Sequence, residues 1–163
     1  MLIRPAKPRD VRAISALVEP YAEQRILLNR ELVSYFESIA EFLVAEDEGE
    51  VVGCGALHVL WDDLAEVRTL AVRKTHLGTG IGHALMMALL ERARNFELAR
   101  VFCLTFEVDF FTSLGFEAIE GAPVTPEVYA ELLRSADDHV AEFLDLARVK
   151  PNTLGNSRML LTL

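Results

Sequence analysis

The sequence contains few cysteines and no cluster of residues at metal-binding spacing. Among its 163 residues are two cysteines and four histidines. Cys54 and Cys103 each lie within an apolar, strand-like run, which is typical of buried and unreactive thiols. A catalytic thiol is the alternative. The histidines are scattered and have no partner at ligand spacing, so we expect no metal site.

Long hydrophobic runs are also absent. Although 52% of the residues are hydrophobic, no apolar run approaches the ~20 residues that a membrane-spanning helix needs. No signal-peptide pattern opens the chain. We therefore expect a soluble protein of the cytoplasm that does not bind membranes. Its length predicts a single domain over residues 1–163 with its own hydrophobic core.

Positive charge is scarce. The chain has 16 lysines and arginines and 25 acidic residues, which gives a net charge of −9 and an isoelectric point near 4.9. Such a chain repels a polyphosphate backbone, so we expect no nucleic-acid partner. If the ligands are anions, the few cations must be concentrated where those ligands bind.

The most informative stretch runs from residue 66 to residue 91. A strand-like segment ends at Val72, a loop carries Gly78, Gly80 and Gly82 in alternate positions, and a helix with an apolar face follows. Glycine lets the backbone approach a ligand closely, and the first N–H groups of a helix attract negative charge. The order strand, glycine loop and helix therefore predicts a phosphate-binding site.

Two common nucleotide-binding motifs do not fit this loop. A Walker A loop ends in Gly-Lys-Ser/Thr, whereas Gly82 is followed by His83 and Ala84. A dinucleotide fingerprint has two residues between its second and third glycines and normally follows the first strand of a βαβ unit. A glycine-rich turn that binds nothing remains the alternative to a phosphate site.

Hydrophobic periodicity along the chain predicts a mixed α/β (α+β) fold. Strands are expected at residues 2–4, 42–46, 51–61, 66–72, 101–106, 116–119 and 159–163, with a hairpin turn at 47–50. Helices are expected after Pro8, at 32–39, up to Asn95 and at 110–115. The second of them should bury Leu32, Val33, Phe36 and Ile39. Together these elements predict a mixed sheet with helices on both faces.

Residues 120–156 form an excursion before the last strand. A helix is expected to begin at Thr125, its N-cap, followed by a second helical stretch and a loop at 151–156. The excursion could roof a ligand site or pack against a second subunit. Exposure of Phe143, Leu144 and Leu146 would favour a homodimer.

The glycine loop resembles the pyrophosphate loop of the GNAT superfamily of acyl-CoA-dependent N-acyltransferases. The superfamily pattern is Arg/Gln-x-x-Gly-x-Gly/Ala, and Leu77 replaces its first residue here, which removes a side-chain donor but no backbone amide. The order of elements also matches over nearly the whole chain. The resemblance implies a GNAT fold with a mostly antiparallel sheet, and acetyl-CoA as cosubstrate. Its diphosphate would contact Leu77, Gly78, Thr79, Gly80, Ile81, Gly82 and His83.

The same resemblance implies how the acetyl group is activated. Backbone N–H groups of the strand at Leu70, Ala71 and Val72 would polarise the thioester carbonyl. Many members carry a tyrosine that protonates the departing thiolate, near a Leu-Gly-Phe sequence that ends the fourth helix. Phe111 stands at that position here. Water or the low basicity of the thiolate would have to replace the tyrosine.

Within the superfamily the chain is similar to N-acetylglutamate synthases, in particular the short form of actinobacteria that lacks the kinase-like domain. Four separated segments carry this similarity, and they occur in the same order. They are EQRILL at 23–28 followed by Arg30, GCGALH at 53–58, EVRTLAV at 66–72 and NSR at 156–158. The similarity implies transfer of acetyl to the α-amine of L-glutamate, the first step of arginine biosynthesis.

Such a reaction needs a base, because the attacking amine is mostly protonated at neutral pH. Glu66, at the start of the strand that would hold the thioester, is the first candidate. Glu107, at the end of the next strand, is the second. Glu66 could instead form an ion pair with Arg68, since side chains two residues apart in a strand share a face.

The similarity also implies which residues bind glutamate. Arg30 would bind one carboxylate, helped by His58, where many synthases have lysine, and by Arg68. Asn156, Ser157 and Arg158 would lie near the other end of the substrate. Longer synthases have arginine just before this Asn-Ser pair, and Gly155 stands there instead, so L-glutamine could compete. A solvated charge beside a helix is the alternative for Arg30.

Two other functions stay open at this point. One is a related transferase that acts on another small amine or on a protein N-terminus. The other is a domain that binds acetyl-CoA as a sensor without turnover, which the phenylalanine at position 111 would allow.

Overall fold

The computed structural model describes all residues from 1 to 163. Its seven strands are β1 (Leu2–Pro5), β2 (Phe42–Asp47), β3 (Glu50–Trp61), β4 (Leu64–Val72), β5 (Arg100–Thr105), β6 (Glu117–Ile119) and β7 (Ser157–Thr162). Its seven α-helices are α1 (Val11–Glu23), α2 (Leu32–Glu37), α3 (Ile81–Asn95), α4 (Val108–Ser113), α5 (Pro126–Leu132), α6 (Asp138–Phe143) and α7 (Lys150–Thr153). Four short 3-10 turns complete the structure.

The strands form one sheet with the order β1-β2-β3-β4-β5-β7-β6. The β1–β2, β2–β3, β5–β7 and β6–β7 pairs are antiparallel, whereas β4 and β5 run parallel. The parallel register pairs Leu64 with Arg100, Ala65 with Val101 and Glu66 with Phe102. A mixed, mostly antiparallel sheet combined with helices confirms the predicted fold class.

The residue contacts divide the chain into two compact units. The first unit comprises residues 1–58 and 67–97, and the second comprises 59–66 and 98–163. The boundary falls within β3 and β4, so each unit contains part of both strands. A single domain over residues 1–163 stays a prediction.

The core of the first unit lies between the first two helices and the sheet. Val11, Ile14 and Val18, spaced along one face of α1, are buried together with Phe42 and Val44 of β2. This is the amphipathic pattern that the sequence predicts for a helix after Pro8. The 3-10 turn Pro8–Asp10 leads directly into α1.

The predicted inner face of the second helix is confirmed for Leu32 and Ile39, which are partly buried against the core, and is wrong for Val33 and Phe36. Tyr35 is the buried residue of α2, at 2% exposure, while Val33 and Phe36 are 59% and 43% exposed. The helix has only six residues and begins at Leu32, after an extended Glu31. Its starting residue therefore sets which side chain points inward, and Tyr35 packs against the ring of Phe42 at 6.0 Å.

The hairpin between β2 and β3 is confirmed. Glu48 and Gly49 form its two-residue turn, with φ angles of 49° and 84°, and the flanking Asp47 and Glu50 pair across the strands. Left-handed conformations at both central residues belong to the type of turn that matches the twist of a hairpin. Glycine favours this conformation at the second position.

The second unit contains the excursion at 120–156 and a separate core. Phe102 of β5 and Phe143 of α6 meet edge to face, with ring centroids 4.9 Å apart. Thr125 caps α5 as predicted, because its Oγ1 accepts a hydrogen bond from the Val128 N–H at 3.3 Å. The predicted loop at 151–156 is partly wrong, since α7 occupies Lys150–Thr153 with its proline in the first turn, where no N–H is required.

The exposure that would have favoured a homodimer is not observed in the excursion. Phe143 is fully buried, Leu144 is 3% exposed, and Leu146 packs against the same cluster as a partly buried residue. Their neighbours in the second unit cover them, so they offer no surface for a second subunit.

None of the helices is both long and apolar enough to cross a lipid bilayer.

Candidate functional site

The glycine loop has the geometry of an anion site. Gly78 and Gly80 both adopt the left-handed backbone region, with φ angles of 76° and 86°. Gly80 is the N-cap of α3 and provides no side chain, so the first N–H groups of the helix are not capped by it. The helix starts at Ile81, and Gly82 therefore lies inside the helix rather than in the loop. No heavy atom lies within 4 Å of a Cβ built on Gly78 or Gly80, which leaves space for a phosphate beside the backbone.

The two glycines of the Gly53-Cys54-Gly55 sequence bring α3 close to β3. A Cβ on Gly53 would lie 2.9 Å from Ile81 Cγ2 and 3.0 Å from Leu85 Cδ1, and one on Gly55 would lie 2.9 Å from Leu89 Cδ1. Real Cβ atoms do not approach so closely. The missing side chains thus set the position of the helix whose N-terminus follows the glycine loop.

An unexpected backbone conformation occurs in β4. Thr69 has a φ angle of 57°, in the left-handed region that β-branched residues rarely adopt. Such a residue costs on the order of 1–3 kcal/mol, and strained residues of this kind are concentrated at functional sites. The residue is buried, at 7% exposure. Nothing in the sequence indicates this feature, since threonine is an ordinary strand residue.

Residues 70–72 follow this left-handed threonine. Leu70 is partly buried, while Ala71 and Val72 are buried. The phenol of Tyr21 in α1 donates a hydrogen bond of 2.5 Å to the Val72 carbonyl. This contact joins the end of α1 to the end of β4, directly before the glycine loop.

Three of the predicted substrate-binding residues lie in the first unit. Arg30 donates to the Ser34 carbonyl at 3.1 Å and to Ser38 Oγ at 2.9 Å, and its guanidinium lies 5.0 Å from the centre of the Tyr35 ring. It is therefore an oriented cation rather than a freely solvated charge. His58 and Arg68 occupy neighbouring strands, and Arg68 is only 4% exposed.

Both predicted bases lie in the second unit. Glu66 is 3% exposed and pairs with Phe102 of β5. It is therefore a buried carboxyl at the end of the parallel pairing between β4 and β5. Burial raises the pKa of Cys103, and the negative charge of Glu66 raises it further. Glu107 is exposed, and its backbone N–H donates to Thr105 Oγ1 at 2.8 Å.

Arg158 serves as a link between β7 and the excursion. Its Nε donates to the Gly121 carbonyl at 2.8 Å, Nη1 donates to the Glu142 carbonyl at 3.0 Å, and Nη2 donates to the Phe143 carbonyl. The guanidinium also lies 5.0 Å from the centre of the Phe102 ring. Burial lowers its pKa, against the raising effects of nearby acidic charges. Sequence reasoning did not anticipate this structural role.

Asn156 and Ser157 line a cavity of ≈ 480 Å³ in the second unit, together with Arg158, Glu120 and Asp145. The Asn156 Oδ1 atom is buried and has no hydrogen-bond partner. A buried acceptor without a donor is unfavourable, so a ligand N–H group would improve the energy of this site.

Phe111, which stands at the position of the family's tyrosine, is a buried aromatic residue. It is 5% exposed, and its ring meets Phe110 and Phe116 edge to face, each at 5.2 Å. A hydroxyl group at this position is absent, so the structure supplies no acid there.

The burial that the sequence predicts for both thiols is confirmed. Cys54 is 0% and Cys103 is 1% exposed. Burial raises the pKa of Cys54 to about 12, which keeps the thiol protonated and a poor nucleophile. No group of three or more His, Cys, Asp and Glu side chains could hold a metal ion.

Comparison with known proteins places these features in a family. The profile described as "Acetyltransferase (GNAT) family" matches residues 10–116. The chain is 57% identical over 165 aligned residues to an amino-acid acetyltransferase of Mycobacterium tuberculosis, with 99% of this chain and 94% of that protein covered.

Two solved structures extend the comparison. The crystal structure of Rv2747 from Mycobacterium tuberculosis in complex with CoA and NLQ gives a TM-score of 0.97 at 57% identity, covering 100% of this chain and 99% of that one. The N-acetylglutamate synthase of Neisseria gonorrhoeae complexed with coenzyme A and N-acetyl-glutamate gives 0.79 at 25% identity. That match covers 99% of this chain, which spans 35% of the Neisseria chain.

Proposed function

Because this chain belongs to the GNAT acetyltransferase family, we propose that it transfers the acetyl group of acetyl-CoA to the α-amine of an amino acid, namely L-glutamate. The amino-acid class is supported by the 57% identity to an amino-acid acetyltransferase over nearly the whole length of both chains. Glutamate as the substrate is supported by the likeness to a synthase crystallised with N-acetyl-glutamate.

The observation that carries the proposal is the open backbone at the start of α3. Gly78 and Gly80 expose their amides without Cβ atoms, and the uncapped N-terminus of α3 attracts anions. We propose that residues 77–83 bind the diphosphate of acetyl-CoA. Leu77 contributes only backbone, so the main-chain N–H groups provide the hydrogen bonds at this position.

We further propose that the N–H groups of Leu70, Ala71 and Val72 donate hydrogen bonds to the thioester carbonyl. The amine nitrogen attacks the carbonyl carbon, and negative charge develops on the carbonyl oxygen, where these N–H groups stabilise it. The carbon–sulfur bond then breaks, and the thiolate leaves. Since Phe111 has no hydroxyl, the thiolate takes its proton from water.

Glu66 is proposed as the base that removes the proton from the ammonium group of glutamate. Its carboxyl lies at the end of the β4–β5 pairing, in the same strand as the amides that are proposed to bind the carbonyl. Proton removal by a positioned group contributes typically ~10²–10⁴ in rate. Glu107 is the second candidate, and its exposed position suits exchange of protons with water.

Arg30, His58 and Arg68 are proposed to bind a glutamate carboxylate, and Asn156, Ser157 and Arg158 to contact the opposite end. The oriented guanidinium of Arg30 supports the first assignment, and the unpartnered Asn156 Oδ1 supports the second. Since Asn156 offers an acceptor, an amide N–H of L-glutamine would also suit it. Glutamine is therefore the competitor to test first.

Release of free thiol from acetyl-CoA tests the proposal with each amino acid in turn. Release that depends on glutamate, with a higher kcat/KM than glutamine or any other amine, is the expected result. If thiol is released only with another amine or with a peptide N-terminus, that acceptor and not glutamate is the substrate. Tight CoA binding without release would indicate the sensor, which a phenylalanine at position 111 leaves open.

We also propose that the enzyme is a cytoplasmic homodimer that serves arginine biosynthesis. The role in arginine biosynthesis is supported by the likeness to an N-acetylglutamate synthase. The apolar residues of the excursion are buried in the second unit, so a dimer would have to use another surface. Light scattering on the purified protein measures the mass directly, and a mass of one chain at micromolar concentration would exclude the dimer.

A further inference from the structure

The left-handed residue in β4 has a specific partner on the adjacent strand. Thr69 lies within the continuous strand Leu64–Val72, yet its φ angle of 57° interrupts the extended backbone. We call this feature the Thr69 kink. A left-handed residue turns its own carbonyl and the following N–H groups away from the positions that a regular ladder requires. Their hydrogen bonds must then come from elsewhere.

The side chain of Cys54 contacts the backbone at the kink. Its Sγ atom lies 3.6 Å from the Thr69 carbonyl oxygen, to which the thiol donates. The thiol thus binds the carbonyl of the left-handed residue itself, and Ala71, two residues further on, lies in the same buried cluster as Cys54.

The local sequence of β3 leaves this task to one side chain. Gly53 and Gly55 flank Cys54, and both face α3, where no side chain fits. Alternation along the strand directs Cys54 to the opposite face, where it is fully buried with Ala56 and Ala71. A buried and protonated thiol has a fixed environment, which makes even a weak S–H donor well defined in direction.

From these contacts we propose that Cys54 is a positioning residue for acyl transfer, whose thiol holds the Thr69 kink and thereby directs the N–H groups at residues 70–72. The proposal rests on the proposed function in one respect, namely that these N–H groups receive the thioester carbonyl. The alternative is that Cys54 only fills space in the core. A core-filling residue would be replaceable by an apolar side chain of similar size.

Two substitutions at this position separate the two roles. Cys54→Val fills a similar volume but removes both the donor and the acceptor. Cys54→Ser keeps a donor and an acceptor on a shorter bond. Cys103→Ala removes the second buried thiol, in β5, and serves as the control for the loss of a buried sulfur. The thermal stability of Cys103→Ala and the NMR signals of its Thr69 backbone are compared with those of the other variants.

The first measurement is independent of activity. Backbone chemical shifts and the coupling between HN and Hα report the φ angle of Thr69 in the isotopically labelled protein. We expect the left-handed values in the wild type, in Cys54→Ser and in Cys103→Ala, and a shift towards extended values in Cys54→Val. Left-handed values that persist unchanged in Cys54→Val would overturn the proposal, whatever the enzyme does.

The second measurement is steady-state turnover with acetyl-CoA. Because misdirected amides act on the transition state, we expect Cys54→Val to lower kcat about tenfold or more while KM for acetyl-CoA changes about threefold at most. Cys54→Ser should recover a large part of kcat. If the kink relaxes in Cys54→Val and kcat is unchanged, the positioning role is refuted. If the wild type acetylates no amino acid, the proposed function fails, and the spectra still decide whether Cys54 holds the kink.

Discussion

The imidazole of His58 is oriented by Glu41, with 2.8 Å between Nδ1 and the carboxylate Oε1. Both side chains are partly accessible, at 24% and 29% exposure. Since Glu41 engages Nδ1, the Nε2 atom is the one left to meet a ligand.

Substitution of His58 tests its proposed contact with glutamate. We expect His58→Ala to raise KM for glutamate about tenfold with little change in kcat, because a charged hydrogen bond made equally in the ground state and the transition state is lost. His58→Lys keeps a hydrogen-bond donor at this position, where many synthases have lysine, and should retain a KM close to that of the wild type. Initial rates over a range of glutamate concentrations measure both. An unchanged KM in His58→Ala would remove the residue from the site.

Arg30 has a matched control in Arg92. Each guanidinium donates to main-chain carbonyl groups and lies against an aromatic ring, Tyr35 for Arg30 and Phe96 for Arg92. Only Arg30 is proposed to bind substrate. We expect Arg30→Ala to raise KM for glutamate about tenfold to a hundredfold, which corresponds to one charged hydrogen bond. Arg92→Ala should leave this KM unchanged, and equal effects in both variants would point to a structural role.

The parts of the fold that the sequence could predict are those determined by local periodicity and turn chemistry. The hairpin at Glu48 and Gly49 follows from residues that tolerate positive φ, and α3 follows from a glycine loop before an apolar helix. The burial of Tyr35 in α2, in place of Val33 and Phe36, was not predictable, since a six-residue helix shows too few turns to define its phase. Tertiary packing against Phe42 decides it.

Site features that arise from contacts between distant segments were also beyond the sequence. The left-handed Thr69 has its contact with Cys54 on another strand, and threonine itself favours extended backbone. Arg158 reads as a substrate-binding cation, yet its three contacts to carbonyl groups form only when the excursion folds back on β7. For both residues, the sequence shows the type of side chain, but it does not show which distant residue that side chain contacts.

Glu66 and Glu107 can be compared as bases with one pair of variants. We expect Glu66→Gln to lower kcat about 10²- to 10⁴-fold, because an amide cannot accept the proton of the ammonium group. The rate should then follow the small fraction of substrate that is already deprotonated, so it should rise steeply as pH increases. Glu107→Gln should retain most of the activity. The reverse ranking in pH–rate profiles would transfer the role to Glu107.

The glycines of β3 predict how the chain controls the start of α3. A Cβ at position 53 would meet Cγ2 of Ile81, a methyl group that is fixed by branching at Cβ. We expect Gly53→Ala to displace the first turn of α3 and to weaken CoA binding about tenfold by calorimetry, because the loop amides move with it. Gly55→Ala meets Leu89 two turns further on, so it should cost stability but change CoA affinity much less. Equal losses of CoA affinity in the two variants would show that the contact between Gly53 and Ile81 does not position the glycine loop.

A partly buried ion-pair cluster connects β1 to the turn before α1. Arg4 holds Asp10 through two hydrogen bonds, Nη1 to Oδ2 at 2.7 Å and Nη2 to Oδ1 at 3.0 Å, and it also contacts Glu46 at 2.6 Å. The Lys7 N–H donates to the same Asp10 carboxylate. Asp10 is 4% exposed, so loss of its charge would leave Arg4 without its principal partner.

The pH dependence of unfolding tests this cluster. The hydrogen bond from Arg4 lowers the pKa of Asp10 from its ordinary value of 3.8, with burial opposing and the Lys7 N–H assisting. A lowered pKa in the folded state means that the stabilisation is complete above pH 3.8 and is lost as pH falls through the folded pKa. We expect Asp10→Asn to lower the free energy of unfolding near neutral pH by about 3 kcal/mol in urea titrations, and this difference from the wild type should shrink only in strong acid. Glu50→Gln, which removes a surface pair with Arg73, should change stability far less. A difference that stays constant into strong acid would show that Asp10 stabilises the fold by its shape rather than by its charge.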